Sequence, residues 1–398
     1  MTPLAPGSTR SAVTLLALAA FCSGAALRVT DSLLPRLASD FQRSAGAAGL
    51  VAVSFAVAYG LMQLVFGPLG DRYGKQRVIM LALGGCAAAS ALSALSPSFE
   101  ALVGLRLVWG MAAAGVIPLA MAWIGDTVPY ADRQATIAKL SLGTLSGMVA
   151  GQLLGGLFAE AAAGWRGAFL TLALGHAVVG ALLFSRMRRS GDEAHASGAS
   201  ARSGQIRLVL GTPWTRVVLL AVGIEGMFLL ASLAYLPTFL HRKLSITVVA
   251  ASGVAALFAL GGLAYALCAR RIVSVLGEQK MMVWGGSIAG AGCAVLWLAG
   301  NWPAAATAAL ATGFGTSLLH ATLQTQATQM APAARGTSVA LFAFVLFSAQ
   351  AAGVFIYGLA VDHVGFAPVF LAPAVALPLA GWWFATALRR RDRRLAEP

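Results

Sequence analysis

Between Phe66 and Ile79 the chain reads Gly67-Pro68-Leu69-Gly70-Asp71-Arg72-Tyr73-Gly74-Lys75-Gln76-Arg77-Val78, a burst of charge and glycine clamped between two long apolar runs. A segment this short and polar cannot cross a bilayer, and it cannot sit in hydrocarbon without unpaired backbone and charge. It must therefore turn at a water interface and join two membrane helices. That placement predicts a chain that crosses the membrane repeatedly.

Composition points the same way. Of 398 residues, 59% are hydrophobic and only 11% charged, too little polar surface to clothe a soluble body of this size. Twelve apolar stretches long enough to cross about 30 Å of hydrocarbon can be drawn between residues 12 and 388, which predicts an all-α membrane protein. The net charge of +14 is explained by topology rather than by nucleic acid, because most Lys and Arg fall in the N-terminal segment, the even-to-odd loops and the C-terminal tail. The positive-inside rule then predicts both termini on the cytoplasmic side. The clusters Arg186/Arg188/Arg189 and Arg389/Arg390/Arg391/Arg393/Arg394 are part of that signal and suit contact with anionic lipid. Cys22, Cys86, Cys268 and Cys293 stand singly in different spans, without metal-ligand spacing. The opening apolar run imitates a secretory leader, but it continues through Leu33 and Leu34 and reads as the first membrane helix.

The long polar stretch, rich in Gly, Ser, Ala and Arg, lies between Arg186 and Pro213 and divides the spans six and six. It reads as a flexible cytoplasmic linker, giving an N-terminal bundle over 1–189, a linker over 190–213 and a C-terminal bundle with a basic tail over 214–398. The opening loop is echoed weakly in the second half by Gly261-Gly262-Leu263-Ala264, Ala269-Arg270-Arg271 and Gly277-Glu278-Gln279-Lys280, without an acid at the position of Asp71.

Gly67, Leu69, Asp71, Arg72, Gly74 and Lys75 match the pattern G-x-L-A-D-R-x-G-R-K-x-x-L, and on these residues the chain resembles the major facilitator superfamily. Arg106 and Gly110 fit its fourth-helix pattern, with Trp109 in place of Gln. Gly147, Gly151, Gln152, Gly155 and Gly156 are similar to its antiporter pattern G-x-x-x-G-P-x-x-G-G, with Gln152 where proline is usual. Arg28 to Pro35, Gly164-Trp165-Arg166 and His320 to Gly336 resemble the twelve-span drug/proton antiporter branch. The resemblance implies two pseudo-symmetric six-helix bundles of the major facilitator fold, with substrate bound between them near mid-membrane. It also implies a conformational latch of Gly67, Asp71, Arg72, Gly74, Lys75 and Asp126. In that latch Asp71 meets the start of the eleventh helix near Gly336 and Thr337, and the loop arginines pair with Asp126. A solvated turn that only obeys the positive-inside rule is the plainer alternative.

Charge inside a span is costly, so it is the strongest site signal a single sequence offers. Asp31 and Glu225 are the acids well inside spans, and Arg28 and Arg106 are the bases. Arg28 and Asp31 share a helix face, and helical rise places Arg106 at a similar depth, so the three are expected to cluster near the outer mouth as a fixed ion pair, a gate or a proton carrier. Glu225, about 17 Å into the seventh helix, has nothing in its own half to neutralise it except His320 or a proton. An acid so placed can load and unload a proton as its access to water alternates; the plainer role is a hydrogen bond between helices. His320 is expected near the cytoplasmic side of the tenth helix, as a relay or as a helix partner, with Gln324 one turn on. Asp31, Arg106, Glu225 and His320 supply one polar residue from each helix that lines the cavity in the family. Arg28, Trp109, Phe228 and Gln324 are the further expected cavity residues. Gly143, Gly147, Gly151 and Gly155 recur every fourth residue, so they admit a close helix neighbour, for packing or for sliding.

No G-x-x-x-x-G-K-[ST], H-E-x-x-H or G-x-S-x-G occurs, so no enzyme chemistry, metal or cofactor is expected and a proton gradient is left as the driving force. The expected function is proton-coupled efflux of small amphipathic molecules or drugs across a bacterial inner membrane, for which a monomer suffices. A metabolite uptake or facilitative carrier is the alternative, favoured by Gln152 and the two arginines. A non-transporting membrane sensor is the alternative of another class.

Overall fold

The computed structural model describes residues 6–190 and 202–396, and among them every regular element is helical. The helices are α1 (Pro6–Asp40), α2 (Ala45–Tyr73), α3 (Lys75–Ala94), α4 (Phe99–Thr127), α5 (Tyr130–Glu160) and α6 (Gly164–Ser190). The second half contains α7 (Pro213–Leu244), α8 (248–276), α9 (278–298), α10 (Trp302–Ala327), α11 (Arg335–His363) and α12 (Ala367–Ala396).

Ten of the described helices are long and apolar enough to cross a membrane. The 51-residue run Val248–Leu298 is two spans that meet at Gly277, where φ is 64° and the helical path breaks. Helix α10 completes the twelve. It is less apolar than its neighbours, and its threonines satisfy themselves by returning a hydrogen bond to the carbonyl four residues back, as from Thr312 to Ala308 and Thr316 to Thr312.

Gly74 ends α2 with φ of 87°, and Gly277 ends α8 with φ of 64°, so the left-handed turn that only glycine adopts readily recurs at matching places in the two halves. Other helix starts are capped by side chains. Ser98 and Asn301 accept from the backbone N–H of Ala101 and Ala304.

The stretch expected to be a plain linker contains a helix of its own, Arg202–Gly211. Val209 is fully buried against the C-terminal bundle, and the Thr337 hydroxyl donates to Gln205 on this helix. Residues 191–201, the other part of the expected linker, lie outside the described residues.

Candidate functional site

Helix α7 is not a uniform α-helix. From Glu225 to Leu230 it widens into a π-helical turn, which inserts one extra residue and frees backbone carbonyls. The neighbouring α11 fills the gap: the Tyr357 hydroxyl donates to the Phe228 carbonyl at 3.3 Å. The two helices also meet backbone to backbone, since a Cβ on Gly226 would strike the Leu346 carbonyl and one on Gly353 the Met227 carbonyl.

Glu225 opens this turn and is 1% exposed. Among the described residues its carboxylate is hydrogen-bonded to the His320 ring on α10, with Nδ1 at 2.9 Å from Oε1 and 3.1 Å from Oε2. The contact brings the two side chains level with each other. Glu225 is sealed off while the His320 side chain keeps 32% exposure, so the imidazole stands between the acid and the space beyond. The ring leans on Phe342 of α11, with centroids 5.8 Å apart. Gln324, one turn further along α10, is exposed, and Phe228 is half-buried against the core.

The N-terminal half presents a second pair. Asp31 is 3% exposed and accepts from Arg28 Nη1 at 3.1 Å. Arg106 does not complete the expected three-way cluster by hydrogen bonding. Its guanidinium packs over Phe55 at 4.2 Å and Trp109 at 4.6 Å, while Nε donates to the Val51 carbonyl at 3.4 Å. A base inside the bundle is thereby stabilised by ring faces as well as by the nearby acid. Trp109, expected on the cavity wall, is instead fully buried, edge-on to Phe55, Phe169 and His176 inside the N-terminal bundle.

The glycine stripe of α5 runs along α1. A Cβ on Gly143, Gly147, Gly151 or Gly155 would collide with the carbonyl oxygen of Ala17, Phe21, Ala25 or Val29 in turn, one turn of α1 for each turn of α5. Gln152, which stands where the family pattern has proline, donates from Nε2 to Ser32 Oγ at 3.0 Å, and that hydroxyl donates back to the Gln152 carbonyl at 2.9 Å. This polar clasp lies beside Asp31. Gly156 faces the other way, toward Ser252 of α8.

In the charged turn, Lys75 is the hub. Its Nζ lies 3.1 Å from Asp71 and 2.6 Å from Asp126. The pairing expected between the loop arginines and Asp126 is therefore made by the lysine, while Arg72 lies over the neighbouring Tyr73 ring at 5.2 Å. Lysine suits this place because its single ammonium can bridge two carboxylates. Among the described residues Asp71 bonds within its own bundle, to Lys75, and not to α11. At the start of α11, Gly336 has open space around it. Gly74 makes the turn, with φ of 87°, while Gly67 lies half-buried within α2, which continues to Tyr73.

The opposite end of the molecule is closed. Tyr59 of α2 packs on Phe347 of α11 with centroids 4.5 Å apart. Nearer the tip, Asp362 accepts from the Ser44 hydroxyl at 2.6 Å and from the Gly46 N–H at 2.9 Å, and Glu160 accepts from the Val248 N–H at 2.5 Å. Sequence reading passed over Asp362 and Glu160, since an acid at a helix end looks like ordinary surface; only its position opposite another helix start distinguishes it. A groove of about 660 Å³ at this end, between α8 and α10, is lined by Ile246, Val254, Leu257 and Trp302 and lies away from the Glu225–His320 pair.

Comparison with known proteins agrees with this architecture. The profile of the Major Facilitator Superfamily matches residues 16–354 and 219–398. A probable transporter of Streptomyces coelicolor, SCO4007, is 30% identical over 400 residues, covering 94% of this chain and 86% of that protein. The multidrug efflux pump LfrA of Mycolicibacterium smegmatis is 31% identical over 128 residues, covering 32% of this chain and 25% of the pump. Among solved structures, a bacterial homolog of the human lysosomal transporter Spinster, in an inward-facing and occupied conformation, superposes with a TM-score of 0.76 at 18% identity, covering 97% of this chain and 98% of that one. With two six-helix halves, the charged turn between α2 and α3 and a family match along nearly its whole length, the chain belongs to the major facilitator superfamily.

Proposed function

We propose that this transporter expels small amphipathic molecules from a bacterial cell in exchange for protons, with Glu225 carrying the proton and His320 passing it to and from water. The observation that carries this reading is the pairing itself: a sealed carboxyl whose contact is an imidazole that keeps a third of its surface open. A buried acid with no fixed cation is costly, and taking up a proton relieves that cost. The bonds of Asp362 and Glu160 tie the two bundles together at the far end, and on this reading the end bearing the linker is the one open to water. By the distribution of Lys and Arg this end is cytoplasmic, so the proton on Glu225 leaves through His320 to the cytoplasm and the freed carboxylate becomes available to a cationic or polar group of the cargo. The Arg28–Asp31 pair is already compensated and serves as a fixed polar wall. The partial likeness to a multidrug efflux pump supports export of amphipathic cargo.

The test is transport in proteoliposomes. Imposing a pH step should drive cargo against its gradient, and Glu225→Gln should abolish that uphill movement while cargo binding persists. Uphill flux that survives in the Glu225→Gln protein would refute the assignment. The second reading, a facilitative or uptake carrier, is favoured by the Gln152–Ser32 clasp in place of the antiporter proline; it requires cargo to equilibrate without regard to the pH step. A sensor would bind cargo and show no flux.

A further inference from the structure

The two carboxylates at the closed end occupy corresponding places in the two halves. Glu160 is the last residue of α5, and its carboxylate accepts from the Val248 N–H, the first residue of α8. Asp362 lies at the end of α11 and accepts from the Gly46 N–H in the first turn of α2, where Ser44 also donates to it. Each bond crosses from one bundle to the other. In both cases the receiving helix already has a hydroxyl cap, Thr247 accepting from the Ala250 N–H and Ser44 from the Ala47 N–H, so the incoming acid satisfies a different amide of the same first turn. The arrangement repeats with the pseudo-twofold relation of the halves.

Packing holds each acid on target. Arg36 of α1 donates to the carbonyls of Ala159 and Ala161 and so secures the end of α5 on either side of Glu160. Near Asp362, a Cβ on Gly46 would strike both the Gly358 carbonyl and the Asp362 carboxylate, so the two chains approach as closely as backbone allows. A carboxylate at a helix start gains from the amide donors and the positive end of the helix dipole together.

We infer that Glu160 and Asp362 form a symmetric pair of gating residues: each bundle lends a carboxylate to cap a helix of the other, and release of both caps lets this end open during the transport cycle. The inference concerns the gate alone and needs neither the proton nor the cargo assignment.

Pulsed electron paramagnetic resonance tests it on the whole protein. Spin labels are placed at Leu95→Cys and Val364→Cys, exposed positions at the closed ends of the two halves, in a background with Cys22, Cys86, Cys268 and Cys293 replaced. Glu160→Gln or Asp362→Asn alone should raise the ratio of long to short distances about threefold, and the two together about tenfold. Val248→Pro removes the N–H that Glu160 accepts while leaving the carboxylate in place, at a helix position that tolerates proline, and should reproduce the Glu160→Gln shift. An unchanged distance distribution in the double variant or in Val248→Pro would overturn the inference, and would leave the role of Glu225 untouched because no gradient or cargo is present.

Discussion

A side chain in a membrane protein is informative in proportion to what its placement costs. Glu225 could be picked out of the sequence because an acid in the middle of an apolar run is expensive, and His320 because it is the histidine deep in the same half. Their direct contact follows from two helices that start at opposite faces of the membrane and meet side by side, which helix-by-helix counting does not give. Replacing His320 by Asn keeps a polar neighbour for Glu225 but removes the group proposed to exchange protons with water. His320→Asn is therefore expected to slow pH-driven transport about tenfold or more while leaving cargo binding near normal, with a flattened pH–rate profile in proteoliposomes. An unaltered profile would demote His320 to a helix partner. Arg106 shows what a single sequence hides: its cradle of Phe55, Trp109 and Val51 draws on two helices, and nothing in the spacing of α4 announces it.

At the scale of elements, the twelve spans were legible because a bilayer admits only satisfied backbone, so apolar length and the polar turns between runs fix where helices begin and end. The linker helix Arg202–Gly211 was not legible. Its docking rests on a few apolar residues, among them the buried Val209, too few to stand out in a stretch rich in Gly, Ser and Arg. The π-turn at Glu225 was equally silent, because it depends on Tyr357 and the glycines of the facing helix. The α5 stripe lies between these cases. Its period announced a close neighbour, and the contacts identify that neighbour as α1, carbonyl by carbonyl. Gly151→Ala adds a Cβ against the Ala25 carbonyl and should cost about 1–3 kcal/mol, seen as a lower thermal unfolding temperature in detergent. Gly125→Ala, in α4 with open space around its position, serves as the control and should leave that temperature unchanged or slightly raised.

For the whole molecule, one sequence must encode two states of similar free energy, and a sequence reading can name the parts of a latch without saying which state they are in. Here Asp71 is turned toward Lys75, and the start of α11 is met by the linker helix, where the Thr337 hydroxyl donates to Gln205. Lys75 is tied at the same time to Asp126, so the latch that the family resemblance implies would need Asp71 to exchange a lysine for the N–H groups at the start of α11. Such an exchange would trade one favourable partner for another, a balance that would keep both states within reach. Asp71→Asn removes the charge that the helix start attracts, so it should lower the population closed at the end bearing the linker about two- to fivefold. Spin labels at Gln134→Cys and Ala333→Cys, exposed on opposite halves near that end, would report it as a gain in long distances. Lys75→Met, which frees Asp71 instead, should move the same distribution the opposite way. If both substitutions shifted it in one direction, the turn would be acting through the stability of its own bundle and not as a latch between the two.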